Sequence, residues 1–169
     1  TTDASFDFYG QDVGNVYNFT DDGFVFFDPS TPGVEPWINT DIPNPDEPNS
    51  LLAVFWRDIE IVYDADTNRG VTLASLTSGG LPAASVIEYD DLEPWGGGDP
   101  IMDMEIVLFS TQDDTPGFYE AVIAFDNVAA TPVGTIGVEN ATGTAGSALL
   151  NAADSTGVIT DGFQVCFDL

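Results

Sequence analysis

The sequence predicts an all-β fold: an antiparallel β-sandwich with jelly-roll or Ig-like layers, in a single domain spanning residues 1–169. Three observations predict it. The apolar residues fall in short runs rich in β-branched and aromatic types. Turn formers, mostly Gly with Asp, Asn or Pro, separate the runs at short intervals. The 169 residues are 43% hydrophobic and include 12 Phe, 5 Tyr and 3 Trp, enough to build a core.

The elements follow in order. Thr1 to Tyr9 alternates Ala4, Phe6 and Phe8 against Ser5 and Asp7, the period of a strand. Asp21-Asp22-Gly23 is a turn, and Phe24 to Phe27 is a short buried run. Asp28 to Pro48 holds six of the 11 prolines, so it is a long connection and not a central strand. Leu51 to Val62 reads as one or two strands, with Leu52, Val54 and Trp56 on one side. Val71 to Leu76 puts Val71, Leu73 and Ser75 on one face. Val86 to Tyr89, Ile101 to Phe109, Tyr119 to Phe125, Thr135 to Val138 and Phe163 to Leu169 complete the set. Turns are expected at Ser78–Gly80, Trp95–Gly98, Thr115–Gly117 and Asn140–Gly143. The one helix candidate is Gly146 to Ala153, through Ala148, Leu149 and Leu150, and it has one or two turns at most.

Charge excludes several functions. There are 29 acidic residues and two basic ones, Arg57 and Arg69, with no Lys and no His, for a formal charge of -27. Nucleic acid and anionic membrane need a basic face, so neither is an electrostatic partner. Chemistry that uses a His base, a Lys Schiff base or a His metal cluster is absent. Disordered acidic chains are poor in aromatic residues, and this one is not. No apolar run reaches the length of a membrane-spanning helix, so no membrane insertion is expected. Mutual repulsion needs screening by salt or bound cations, which suits an extracellular medium, a cell surface or a halophile's cytosol. A first residue other than Met is expected for a processed or excised chain. Cys166 stands alone and forms no internal disulfide. It reads as a buried small residue, with an intermolecular disulfide as the alternative.

Several segments together resemble a known family. Phe8-Tyr9-Gly10, Val16-Tyr17 and Asp22-Gly23-Phe24-Val25-Phe26 form its opening pattern. Ile42-Pro43 and Pro48-Asn49-Ser50-Leu51-Leu52-Ala53-Val54-Phe55-Trp56-Arg57-Asp58 follow. Val86 to Tyr89, Glu105 to Phe109 and Thr135-Ile136-Gly137-Val138-Glu139-Asn140 match its later strands. The chain thus resembles the nidogen-like all-β extracellular modules that accompany secreted bacterial peptidases and surface proteins. The resemblance implies a fold and a compartment, and no catalytic residues. One departure is Arg57, which stands where the family has an acid.

Candidate sites are few. Asp64, Asp66 and Asn68 have the alternating oxygen spacing that suits Ca2+, but Arg69 and Ser75 replace the Gly and Glu of an EF-hand. The alternative is a polar hairpin turn. Trp37 and Trp95 lie in Pro- and Gly-rich loops, where planar rings beside carboxylates stack on sugars or cap the sandwich. Arg57 is expected in a structural ion pair. Asn18-Phe19-Thr20 and Asn140-Ala141-Thr142 fit the glycosylation pattern at Asn18 and Asn140. Phe6 and Phe8 mark a segment able to add as a strand to a neighbouring subunit, or to pair within its own domain. No carboxylate pair is singled out for hydrolysis. The function expected is therefore a non-catalytic extracellular structural or adhesive protein, self-associating through its N-terminal strand. The alternative is an accessory domain that holds a secreted hydrolase on a polysaccharide or protein fibre.

Overall fold

The computed structural model describes residues 5–28, 37–46, 48–67, 69–110, 118–129, 133–154 and 156–169. These residues form 13 strands and, among them, no helix. β1 (Phe6–Phe8) and β2 (Gln11–Gly14) make a small hairpin that joins neither main sheet. β3 (Asn18–Phe19), β4 (Phe24–Phe26), β5 (Leu51–Trp56), β11 (Val133–Glu139) and β12 (Gly146–Asp154) form a five-stranded sheet in the order β12-β11-β5-β4-β3. The second sheet contains β6 (Ile59–Glu60), β7 (Gly70–Ser78), β8 (Leu81–Pro94), β9 (Met102–Phe109), β10 (Ala121–Asp126) and β13 (Gln164–Phe167). Its order is β13-β10-β9-β8, and the far side of β8 pairs first with β7 and then with β6. Every strand pair is antiparallel. The all-β sandwich is the observed architecture.

The core lies between the inner faces of the sheets. β9 alternates buried Met102, Met104, Ile106 and Leu108 with half-buried outward residues, and β10 does the same with Ala121, Ile123 and Phe125. Leu52, Val54, Phe55, Ile136 and Val138 meet them from the other sheet. Tyr89 ties the layers together. Its hydroxyl donates to the Thr20 carbonyl at 3.3 Å, and its ring stands edge-on to Phe19. Burial pushes the Tyr89 phenol above its ordinary pKa.

β5 is buried on both faces, and a bulge explains how. The N–H groups of Val54 and Phe55 both donate to the Gly23 carbonyl, at 3.0 and 3.1 Å. Two residues thus face one, and the strand's alternation shifts by one. Val54 and Phe55 both point into the core, and Trp56 is turned to the outer face with Leu51 and Ala53. The expected grouping of Trp56 with Leu52 and Val54 is corrected accordingly. Gly23 is obligatory at this crossing. Its φ is +75°, and a Cβ there would overlap the Phe55 carbonyl.

The outer face of β5 is covered by the described part of the Pro-rich connection. Ile42 packs on Phe24, Leu51, Ala53 and Trp56. Asn39 Nδ2 donates to Thr135 Oγ1 at 3.1 Å, and the Asn44 N–H donates to the buried Glu139 carboxylate at 2.8 Å. Residues 29–36 and 47 of the connection lie outside the described residues.

The helix expected over Gly146–Ala153 is a strand, β12. Its Ala and Leu content favours a helix, but pairing with β11 from Val138↔Ser147 to Val133↔Asp154 overrides that preference. A break in register between Gly134 and Gly137 and a positive φ at Ala152 make β12 irregular, so its apolar residues do not alternate.

Candidate functional site

Two exposed aromatic residues, Trp37 and Trp95, lie on loops tied to one end of the sandwich. Trp95 follows β8, and its N–H donates to the carbonyl of Asp58, two residues past the end of β5. Trp37 lies two residues before Asn39, whose side chain is bonded to Thr135, the register partner of Trp56. Both loops are therefore anchored at the C-terminal end of β5. Trp37 is 61% exposed, Ile38 66% and Trp95 67%. The rings do not cap the core. They project from Pro- and Gly-rich backbone.

The other site residues named from sequence are dispersed. Asp64 Oδ1 accepts the Asp66 N–H at 2.9 Å, and residues 64 and 69 close an antiparallel bridge, so this segment forms a tight turn. That hydrogen bond from Asp66, with one from Thr67, holds the Asp64 carboxyl below its ordinary pKa. Asn68 lies outside the described residues. Among the described residues, no three His, Cys, Asp or Glu side chains gather as a metal-binding group. Phe6 and Phe8 are 1% and 3% exposed and sit in the chain's own core, where Phe8 meets Phe27 with ring centroids 4.5 Å apart. Asn18 is half-buried opposite Phe26. Asn140 Oδ1 organises the β11–β12 turn by accepting the N–H groups of Thr142, Thr144 and Ala145.

Two expectations are corrected. Cys166 is exposed, not a buried small residue. It lies opposite Val122 on the outer face of the edge strand β13, where nothing among the described residues covers it. The ion pair expected at Arg57 is found at Arg69. Among the described residues Arg57 has no carboxylate within 4 Å, and its Nε is buried without a hydrogen-bond partner. Burial lowers the Arg57 pKa, and the charge of Asp58 acts the other way. Arg69 instead bonds Glu93 through Nη2 and lies 3.4 Å from Asp91 through Nε. The hydrogen bond to Glu93 raises its pKa.

The Arg69 cluster was missed from sequence, although a signal existed. Folding β7 onto β8 about Gly79-Gly80 brings Gly70 opposite Asp90, which sets Arg69 beside the acids of β8.

A shallow groove of about 310 Å3 runs along the outer face of the six-stranded sheet, lined by Glu88, Asp103, Glu105 and Asp126 with Ala124 and Gly162. Glu88 lies directly opposite Glu105, and Asp103 opposite Asp126. Asp103 is held in place by the Asp91 N–H at 2.8 Å and by the Asn127 amide. The acidic lining makes the groove unfavourable for anions.

No curated protein and no solved structure matches the chain. The family model described as NIDO related matches residues 4–164. That span contains β1 to β12 and reaches the first residue of β13, so it takes in the covered outer face of β5 and the Trp-bearing end, and the chain belongs to the nidogen-related family.

Proposed function

We propose that this chain is a non-catalytic, extracellular structural and adhesive module that holds a polysaccharide or protein fibre at its Trp37–Trp95 end. The observation that carries the reading is the exposure of Trp37 and Trp95 on loops anchored to one end of β5. Flat exposed rings supply an apolar stacking face, and Asp41 and Asp99, four residues from Trp37 and Trp95 in sequence, offer hydrogen-bond acceptors, the combination that a sugar ring or an extended peptide needs. Membership of the nidogen-related family supports an extracellular setting. The same surface serves an accessory domain that keeps a secreted hydrolase on its substrate.

The test is cosedimentation with cellulose, chitin and collagen fibrils. The Trp37→Ala/Trp95→Ala variant should lose binding and keep its urea midpoint. Undiminished binding, or no retention of the parent chain by any of the three, overturns the reading. Loss of the fold would make the rings structural.

A second reading is favoured by the β1–β2 hairpin. Its strands pair with neither main sheet, yet it supplies Phe6 and Phe8 to the core. A neighbour's N-terminal segment would supply the same two rings, giving head-to-tail assembly by strand addition. Deleting residues 1–9 should then abolish polymers; polymers that survive with the fold intact rule it out.

A further inference from the structure

The edges of the two sheets are unequal, and one is unguarded. β3 and β6 have two residues each, and β13 has four. Short strands such as these offer little to a partner. β12 is longer, but breaks in register bend it, and Asn151 in it is tied to the backbone of Ile42. β7 is different. Its nine residues pair with β8 on one side, and among the described residues no strand lies on the other. Its register is regular from Gly70 to Leu76.

Charge separates β7 further from the rest of the surface. Val71 to Ile87 runs for 17 residues without a charge, in a chain of formal charge -27. Natural edge strands are usually guarded by charged side chains, proline or bulges, and β7 has only one irregularity, at Leu76/Thr77. From Leu73 onward its inward face is also exposed. Leu73 lies opposite the buried Ile87 on the core side, yet it is 43% exposed. Thr72 to Ser78 are all exposed.

We propose that β7 is a self-association edge, which pairs antiparallel with β7 of a second copy to give a two-fold symmetric dimer with one continuous sheet. The charge distribution selects the occupant. Two copies at -27 repel over acidic surface, and contact along neutral strands costs the least repulsion. In full register the two-fold axis passes at Ala74, so Leu73 of one copy meets Ser75 of the other, and Thr72 meets Leu76. The Leu73–Ser75 pairs cover the open side of the core, the Thr72–Leu76 pairs lie on the other face, and the two strands continue one ladder. The pairing does not rest on the Trp37–Trp95 reading or on the N-terminal strand.

Sedimentation velocity of the full chain tests it, at about 0.1 M and about 1 M NaCl, where the screening length falls from roughly 10 Å to 3 Å. Dimer should increase with salt. Ala74 is exposed, so Ala74→Asp and Ala74→Arg should fold normally, as circular dichroism would check. Each variant alone should dimerise at least about tenfold more weakly than the parent, since like charges meet at the axis, and an equimolar mixture should recover the dimer. A parent that stays monomeric in high salt, dimers indifferent to Ala74→Asp, or polymers in place of dimers would each overturn the proposal. The chain lacking residues 1–9 should still dimerise, which separates this edge from strand addition. Fibre cosedimentation of Ala74→Asp should match the parent, which separates it from the Trp end.

Discussion

Asn151 holds both backbone polar groups of Ile42: its Oδ1 accepts the Ile42 N–H at 2.8 Å, and its Nδ2 donates to the Ile42 carbonyl at 3.0 Å. One side chain on β12 thus does for the Pro-rich connection what a neighbouring strand would do. It fixes Ile42 over Leu51, Ala53 and Trp56, and so dries the outer face of β5. Asn151→Ala leaves two partly buried groups without partners, at about 1 kcal/mol or more each. The expected loss is about 2–3 kcal/mol in urea unfolding at high salt. Hydrogen exchange should rise in residues 39–44 while β9 and β10 stay protected. An unchanged midpoint would mean that packing of Ile42 alone holds the connection.

Gly23 predicts a sharper effect. Gly23→Ala combines an unfavourable positive φ with overlap on the Phe55 carbonyl, at the point where the β5 bulge begins. The expected cost exceeds about 3 kcal/mol, because the obstacle is backbone and cannot move aside. Gly80→Ala is the matched control. Its φ is +83°, but nothing lies within 4 Å of the added Cβ, so it should cost only about 1 kcal/mol. Equal midpoints for the two variants would show that backbone strain alone sets the cost.

These cases also show what could be read from the sequence. Alternation places Met102 to Leu108 and Ala121 to Phe125 correctly, because one face of each strand is buried and the period of two survives. β5 defeats the same rule, because a bulge resets its phase, and a bulge depends on what Gly23 does across the sheet. β12 defeats it because an edge strand rich in Ala and Leu carries no strand signal of its own. At the candidate site, Trp37 and Trp95 are visible as aromatic residues in loops, but their common anchorage to the end of β5 depends on the register Thr135↔Trp56 and on the Trp95 bond to Asp58. The Arg69 ion pair depends on the β7–β8 register, which the local sequence does not display, whereas Arg57 stands out in the sequence because it lies beside Trp56 in an apolar run.

Asp90 gives the pH prediction. Partial burial, then the charges of Asp103, Asp91 and Glu88, raise its carboxyl pKa, and Arg69 offsets a little of this. A raised pKa means that the folded state binds the proton more tightly than the unfolded state. Ionised Asp90 is therefore a penalty, fully present above its folded pKa and fading as pH falls toward its ordinary value of 3.8. Asp90→Asn removes the penalty. The variant should be more stable than the parent at pH 7, and the gap should close as pH falls through the window just above 3.8. Asp64 titrates with the opposite sign in both proteins, so it cancels in the difference. A gap that widens on acidification would refute the assignment.

The like-charge pairs across the outer sheet give the strongest dependence on medium. Glu88 faces Glu105 across β8 and β9, and Asp103 faces Asp126 across β9 and β10, with no Lys anywhere to intervene. Directly opposed like charges on a sheet destabilise it by roughly 0.2–1 kcal/mol per pair, and the rest of the -27 charge adds a diffuse repulsion. Both are screened at about 1 M NaCl, where the Debye length of roughly 3 Å is shorter than the spacing of cross-strand neighbours. Thermal midpoints should therefore rise steadily from about 0.05 M to about 1 M NaCl. Glu105→Gln removes the Glu88 contact alone. It should raise the midpoint at low salt, and the gain should shrink as salt is added. Magnesium or calcium chloride at matched ionic strength separates screening from binding: coincident curves mean that screening accounts for the effect, and a further shift from calcium alone would mean a specific cation site. A midpoint that does not move with salt would show that Glu88–Glu105 and Asp103–Asp126 are too well solvated to repel.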